Sequence, residues 1–258
     1  MKNNITKEGK EVVLITGANN GIGYYLAKSL LEEGYLVAGF DLECEHLKDL
    51  QKSFHDTLLV YQTDVTRDEN IQRAIQTTLQ KWNKIDILVN NACLALFSPF
   101  DEKSLQEIYK EFEVNYFGYV RMIRLVLPAM KERGRGTIHN VGSGVGITGF
   151  PGLAGYSSSK GAIEALSKTL SYELEKYGIT VHTIHPPLTN TKSASPLGIP
   201  VEAMEDPEKV GRQIARKIQS TKKIITPNIL TAFYLFLARR FPDAIGRLMG
   251  KMTENKRR

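Results

Sequence analysis

The chain has 258 residues, 42% hydrophobic and 24% charged, which is room for one sizeable core and fits a single large α/β domain. Its two cysteines, Cys44 and Cys93, form no C-x-x-C pair; this excludes a disulfide framework and a zinc pattern and sets a reducing, cytoplasmic compartment as the expectation. The net charge of +6 is gathered at one end, because residues 216–258 hold 11 Lys or Arg against Asp243 and Glu254, and no recognisable nucleic-acid-binding element carries them.

The opening segment MKNNITKEGK (1–10) is a polar extension without the apolar core of a signal peptide. No apolar run approaches the roughly 20 residues of a membrane-spanning helix. From residue 11 onward, short apolar runs alternate with helical patterns. EVVLIT (11–16), YLVAGF (35–40), TLLVYQ (57–62), IDILVN (85–90), GTIHNV (136–141), ITVHTI (179–184) and KKIITPN (222–228) read as strands. Several are apolar on both faces, as strands covered on both sides should be. Residues 104–133 read as one long helix, and Ile163, Leu166, Leu170 and Leu174 mark the buried stripe of another. The alternation predicts βαβ units and a doubly wound parallel sheet, a Rossmann-type α/β domain over residues 11–228.

The first strand runs into TGANNGIG (16–23), where Gly17, Gly21 and Gly23 stand between strand and helix. That is where a doubly wound sheet receives a pyrophosphate at a helix N-terminus. Asn19, Asn20 and Ile22 complete the candidate phosphate loop. Asp41 ends the second strand, about 20 residues on, where an acid accepts both ribose hydroxyls and repels a 2′-phosphate. Leu42 and Glu43 follow, with no Arg or Lys, so the pattern favours NAD over NADP. In GYSSSKGAIE (155–164), Tyr156 and Lys160 are one helical turn apart on one face.

Together these stretches resemble the classical short-chain dehydrogenase/reductase family over about residues 11–192. TGANNGIG is similar to its glycine motif, NNAC (90–93) to N-N-A-G with Cys93 in the last place, and VNYFG (114–118) contains its catalytic-Asn motif. Ser143 precedes Tyr156 by the family's usual spacing. The resemblance implies Tyr156 as general acid/base, Lys160⁺ lowering the phenol's pKa and bonding the nicotinamide ribose, Ser143 holding the substrate oxygen, and Asn115 holding a water. It also implies adenine contacts from Asp64 and Val65, and a groove lined by Asn90 and Ala92. Pro187 stands where relatives usually have glycine, so the loop over the nicotinamide should follow a different path there, with contacts from Leu188 and Thr191.

The expected activity is therefore interconversion of a secondary alcohol and a ketone with NAD(H). A dinucleotide-binding sensor or scaffold would be expected to lose Tyr156, Lys160 or Ser143, and this chain keeps all three. An epimerase or dehydratase of the extended relatives usually carries a longer substrate domain. By analogy the partners are a small-molecule alcohol or ketone and a second or fourth copy of the chain, through residues 104–133 and 157–177. The five histidines, His185 among them, form no metal motif and read as structural. The resemblance ends before residues 229–258. There ILTAFYLFLA (229–238) precedes Pro242, expected to break the helix, and then Ile245, Leu248, Met249 and Met252 recur at amphipathic spacing among cations. This extension is either packed on the body, as a substrate lid or against a second subunit, or an interfacial membrane helix that would suit a lipid-like substrate.

Overall fold

This computed structural model describes residues 9–197 and 199–254. Most of the 1–10 extension, the side chain of Met252 and the final basic residues lie outside that description. Seven parallel strands form one sheet in the order β3-β2-β1-β4-β5-β6-β7. They are β1 (Val12–Thr16), β2 (Leu36–Asp41), β3 (Leu58–Gln62), β4 (Ile87–Asn90), β5 (Gly136–Val141), β6 (Ile179–Ile184) and β7 (Ile224–Ile225). Every strand expected from the sequence is present, though β7 keeps only two residues of its run. It is an edge, and short edges resist unwanted pairing.

Strand alternation explains the continuous apolar runs. Val13 and Ile15 of β1 face one core layer, with Leu26 and Leu30 of α1 (Gly21–Glu32) and Val210 and Ile214 of a later helix. Leu14 between them faces the opposite layer, with Ile71 and Ile75 of α3 (Asp68–Trp82) and Met122 and Val126 of α5 (Gly118–Glu132). Both faces are thus covered, and no position of β1 can be polar except its end. The remaining helices are α2 (Glu45–Ser53), α4 (Leu105–Phe112), α6 (Val145–Thr148), α7 (Ala154–Glu173), α8 (Pro207–Ala215), α9 (Ile229–Arg240) and α10 (Pro242–Glu254).

The long helix expected over 104–133 is interrupted. A capping box between Ser104 and Glu107 starts α4, and a π-helical turn at Glu113–Phe117 separates it from α5. Such turns widen a helix and recur at functional sites; here the turn carries Asn115. Gly118 follows it because a Cβ there would press within 3.0 Å of Val65. In the tail the helix does break before Pro242, which opens α10. The strand order reverses between β1 and β4, which opens a crevice beyond their carboxyl ends.

Candidate active site

That crevice is a cavity of about 710 Å³, within the size range of small-molecule sites. Its left wall is the glycine turn. Gly17 has φ +65° and Gly21 φ +55°, where a side chain is strained. A Cβ on Gly17 would come within 2.8 Å of the Ala92 Cα, and one on Gly21 within 3.0 Å of the Thr191 methyl. Gly23 lies behind the wall, where a Cβ would overlap the Gly17 carbonyl; it seats α1 on β1. Asn20 places no capping side chain on α1. Gly21 and Ile22 line the cavity at that uncapped end, where free N–H groups favour a phosphate.

Asp41 lines the cavity beside Leu42 and Glu43. Its Oδ2 accepts the Asn19 N–H at 2.8 Å. Burial raises the pKa of Asp41, against the backbone N–H groups that stabilise its charge. Asn19 itself turns away from the cavity and is buried, its Oδ1 accepting the Leu47 N–H at 3.0 Å. It braces α2 rather than presenting its amide to a ligand, because a short turn buries whichever side chain faces the sheet. Asp64 and Val65 line the wall, and Asp64 Oδ1 also accepts the N–H and hydroxyl of Thr66 at 2.8 Å each.

Asn90 is likewise a buried brace, its Nδ2 donating to Asn140 Oδ1 at 2.9 Å. As the last residue of a covered strand, it has no access to the groove. The groove is lined instead by Asn91 and Ala92, and Asn91 ties β1 to β4 by donating to the Thr16 and Gly17 carbonyls at 3.1 and 2.9 Å.

Ser143, after β5, and Tyr156 and Lys160, in the opening turns of α7, all face the same cavity. The Ser143 hydroxyl beside the Tyr156 phenol favours the phenolate. Burial outweighs this, and with the Cys93 thiol and the Glu111 carboxylate it pushes the phenol well above its ordinary range. The expected depression by Lys160 is therefore not found. Lys160 Nζ donates to the Val141 carbonyl at 2.7 Å and the Tyr119 hydroxyl at 3.3 Å, 5.6 Å from the centre of the Tyr156 ring. Its own burial lowers its pKa. A buried ammonium satisfies its donors with whatever acceptors are present.

Asn115 is fully buried behind this group. Its Oδ1 accepts the Leu94 N–H at 2.8 Å, and its Nδ2 donates to the Leu94 carbonyl at 2.9 Å and the Ser159 hydroxyl at 3.0 Å. The side chain thus clamps the Cys93–Leu96 stretch to α7 and is already engaged. The sequence reading missed its two companions. Glu111 and Tyr119 stand four residues either side of Asn115, both fully or almost fully buried. Tyr119 supports Lys160, and Glu111 pairs with Lys103 at 3.2 Å while accepting the Leu96 N–H at 2.9 Å.

On the far side, Pro187, Leu188 and Thr191 line the cavity. The loop is pinned where the Leu188 carbonyl and Asn190 N–H bond the Glu205 backbone, each at 2.9 Å. Above it, α9 and α10 form a roof that contributes Leu230, Thr231, Tyr234 and Met249. Tyr234 reaches Gly144, where a Cβ would stand 2.9 Å from its ring, and its hydroxyl meets Met249 Sδ at 2.9 Å. Gly246 and Gly250 let α10 approach Thr148 and Pro151 closely. The lid placement of this segment thus matches one of the two expectations. Among the described residues no three metal-binding side chains cluster, and His139 and His182 are buried in the sheet.

Residues 11–199 match the family model described as short chain dehydrogenase. A 3-ketodihydrosphingosine reductase of Bacteroides thetaiotaomicron is 31% identical over 182 residues, 70% of this chain and 65% of that protein. The chain therefore spans just under two-thirds of that relative. An NADP-dependent 3-hydroxy acid dehydrogenase of Salmonella typhimurium is 32% identical over 216 residues, 83% of this chain and 86% of that protein. Among solved structures, a short-chain dehydrogenase from Streptomyces avermitilis superposes with TM-score 0.80 at 27% identity, covering 96% of both chains. A 3-ketoacyl-(acyl-carrier-protein) reductase from Brucella melitensis, complexed with NADH, gives TM-score 0.76 at 27% identity over 84% of this chain and 94% of that one.

Proposed function

The chain belongs to the short-chain dehydrogenase family, and from that premise we propose that it is an NAD(H)-dependent oxidoreductase interconverting a secondary alcohol and a ketone. The observation that carries the reading is the convergence of Ser143, Tyr156 and Lys160 on one cavity whose other end is a glycine turn at an uncapped helix. The residues present fit a dinucleotide. Gly17 and Gly21 leave a cradle that any side chain would fill, and the α1 terminus offers N–H groups to a pyrophosphate. Asp41, Glu43 and Asp64 give the adenosine end three carboxylates, and the cations of the wall, Lys160 and Lys192, belong to other segments. That supports NAD over NADP, although the Salmonella relative is named as NADP-dependent.

A bound nicotinamide would supply or accept the hydride. Tyr156 would give its proton to the substrate oxygen in reduction and take one in oxidation. Its upward-shifted pKa keeps the free phenol in the donor form. Ser143 would hold the same oxygen and stabilise charge developing there. Lys160 would exchange the Val141 carbonyl for a ribose hydroxyl and bring its charge nearer the phenol. The apolar stretch of wall formed by Phe97, Leu153, Leu230 and Met249 suits a hydrophobic or lipid-like substrate. Assembly as a homodimer or homotetramer would use the α4–α5 and α7 faces, where Tyr109, Phe117 and Tyr172 stand exposed.

The test is a panel of secondary alcohols and ketones offered with NAD(H) and NADP(H), followed by absorbance of the reduced nicotinamide. Turnover with NAD(H) is expected, together with a loss of preference of about tenfold in Asp41→Asn, the scale of one hydrogen bond to a charged group. A wild-type preference for NADP(H) would sink the Asp41 reading; no turnover with any pair would favour the sensor.

A further inference from the structure

The roof helix α9 is apolar on both sides. Its inner side buries Thr231, Leu235 and Ala238. Its outer side leaves Ile229 83%, Leu230 73%, Phe233 60% and Phe236 61% exposed, and Phe241 continues the patch at 51%. A soluble surface rarely gathers so many large apolar side chains in one place without an occupant. Leu230 belongs both to this patch and to the wall of the cavity, so the patch is continuous with the mouth through which a substrate enters.

Charge selects the occupant. Arg239, Arg240, Arg247 and Lys251 stand exposed on α9 and α10, against Asp243 as the one acid among the described side chains of these helices. Among the described residues, Arg239 alone of these cations has an acidic partner, Glu164 at 2.9 Å. A second copy of the chain, meeting this face about a two-fold axis, would set the same cations against themselves. An anionic bilayer surface takes both features at once, the apolar row into the interface and the cations against the headgroups. No helix is long and apolar enough to cross a membrane among the described residues, so the contact is one of lying on the surface.

We infer that the outer face of α9, with the cations of α9 and α10, is a docking surface for an anionic membrane, and that docking brings the mouth of the cavity to the lipid interface. The inference does not rest on the catalytic reading, because its test reads binding. The full chain is sedimented with vesicles of phosphatidylcholine alone and of phosphatidylcholine mixed with phosphatidylglycerol, at low and high salt. Sedimentation is expected with the mixed vesicles and should weaken as salt shortens the screening length from about 10 Å to about 3 Å. Arg240→Gln with Arg247→Gln should weaken it by roughly fivefold per cation. Phe233→Ser with Phe236→Ser should abolish it, while leaving the circular dichroism and NADH binding of the protein unchanged, since neither ring lines the cavity. Failure of the wild type to sediment with the mixed vesicles would overturn the inference. So would sedimentation that ignores both pairs of substitutions. A dimer that dissociates on Phe233→Ser and Phe236→Ser in analytical ultracentrifugation would overturn it in favour of self-association.

Discussion

The floor and the roof of the cavity are held by different physics. On the floor, Asn90, Asn115, Asn140, Ser159 and Lys160 are buried and bonded to one another or to backbone. Each has its partners fixed by strands and by α7, so losing one would leave another unsatisfied in a dry interior. The roof is attached by a few contacts. Tyr234 sits over Gly144, Gly246 and Gly250 sit over α6 and the loop after it, and the Arg239–Glu164 pair closes the edge. Glu164 Oε1 in turn lies 2.7 Å from His185 Nε2. On the proposed function, the difference would make chemistry and selectivity separable: the groups for proton transfer are held by the sheet and α7, and the roof over the substrate is a layer that can change without disturbing them.

The comparison breaks most directly at Tyr156. Tyr156→Phe removes the proton donor and leaves a ring of the same shape in the same buried place. Turnover is expected to fall by at least about 100-fold, the lower end for losing a general acid/base, with NADH binding measured by fluorescence little changed. Retained turnover would move the acid/base elsewhere on the floor. Activity in the oxidative direction should rise with pH, because the phenol must lose its proton and burial holds its pKa up.

The floor should also carry an acid-sensitivity of its own. Burial, with His182 beside it, lowers His139 from its ordinary 6.5 to about 3, against the bond to the Ile218 carbonyl. The unfolded chain therefore binds a proton that the folded chain refuses. The contribution of His139 is complete above its unfolded value and is lost as pH falls below it, down to the folded value. Between pH 6.5 and about 5 the loss should approach 2 kcal/mol, at about 1.4 kcal/mol per pH unit. Urea unfolding at the two pH values measures it. In His139→Gln, whose amide can still donate to Ile218, the slope should be shallower; an unchanged slope would place the titrating group elsewhere.

At the roof, Tyr234→Ala should act on selectivity. It removes the ring over Gly144 and enlarges the cavity beside Ser143. KM for large apolar substrates should change by about tenfold or more, the low end for a single methylene in an apolar pocket. The turnover number for a small alcohol should stay within about twofold, since no floor group has moved. An equal fall of both parameters for every substrate would show that roof and floor are coupled.

The sequence carried the floor better than the roof for a physical reason. Strands covered on both faces must be apolar throughout, and a backbone approaching a phosphate must be glycine, so β1, Gly17 and Gly21 could be read directly. Whether a polar residue in a motif faces the ligand or the core depends on which way a short turn points it. The side chains of Asn19, Asn90 and Asn115 turn into the fold rather than into the cavity. The π turn at Glu113–Phe117 left no mark in periodicity, because it shifts the helix by one residue. The buried Lys103–Glu111 pair was hidden because charged residues normally mark surface. In the tail, composition announced an apolar helix, but only Gly246 and Gly250 meeting Thr148 and Pro151 show which side of α10 lies on the body.

The smallest effect is expected where floor and roof meet, at Pro187. Proline has no N–H and fixes φ near −65°, so it could be the element that shapes the loop over the nicotinamide. The bonds around it point to another cause. The Pro187 carbonyl accepts the Thr189 hydroxyl at 2.8 Å, and the next turn is held by Leu188 and Asn190 on the Glu205 backbone. Thr191 then packs on Gly21, which anchors the far end of the loop to the glycine turn. None of these contacts uses the pyrrolidine ring. Pro187→Gly should therefore leave NADH affinity within about tenfold, or 1.4 kcal/mol, with a stability loss of about 1 kcal/mol or less from the freer unfolded chain. Titration of NADH into both proteins, paired with their thermal unfolding, separates the two contributions. An affinity loss well beyond tenfold at nearly unchanged stability would mean that the ring itself holds the nicotinamide loop in its bound shape, and the boundary between rigid floor and adjustable roof would then run on the other side of residue 187.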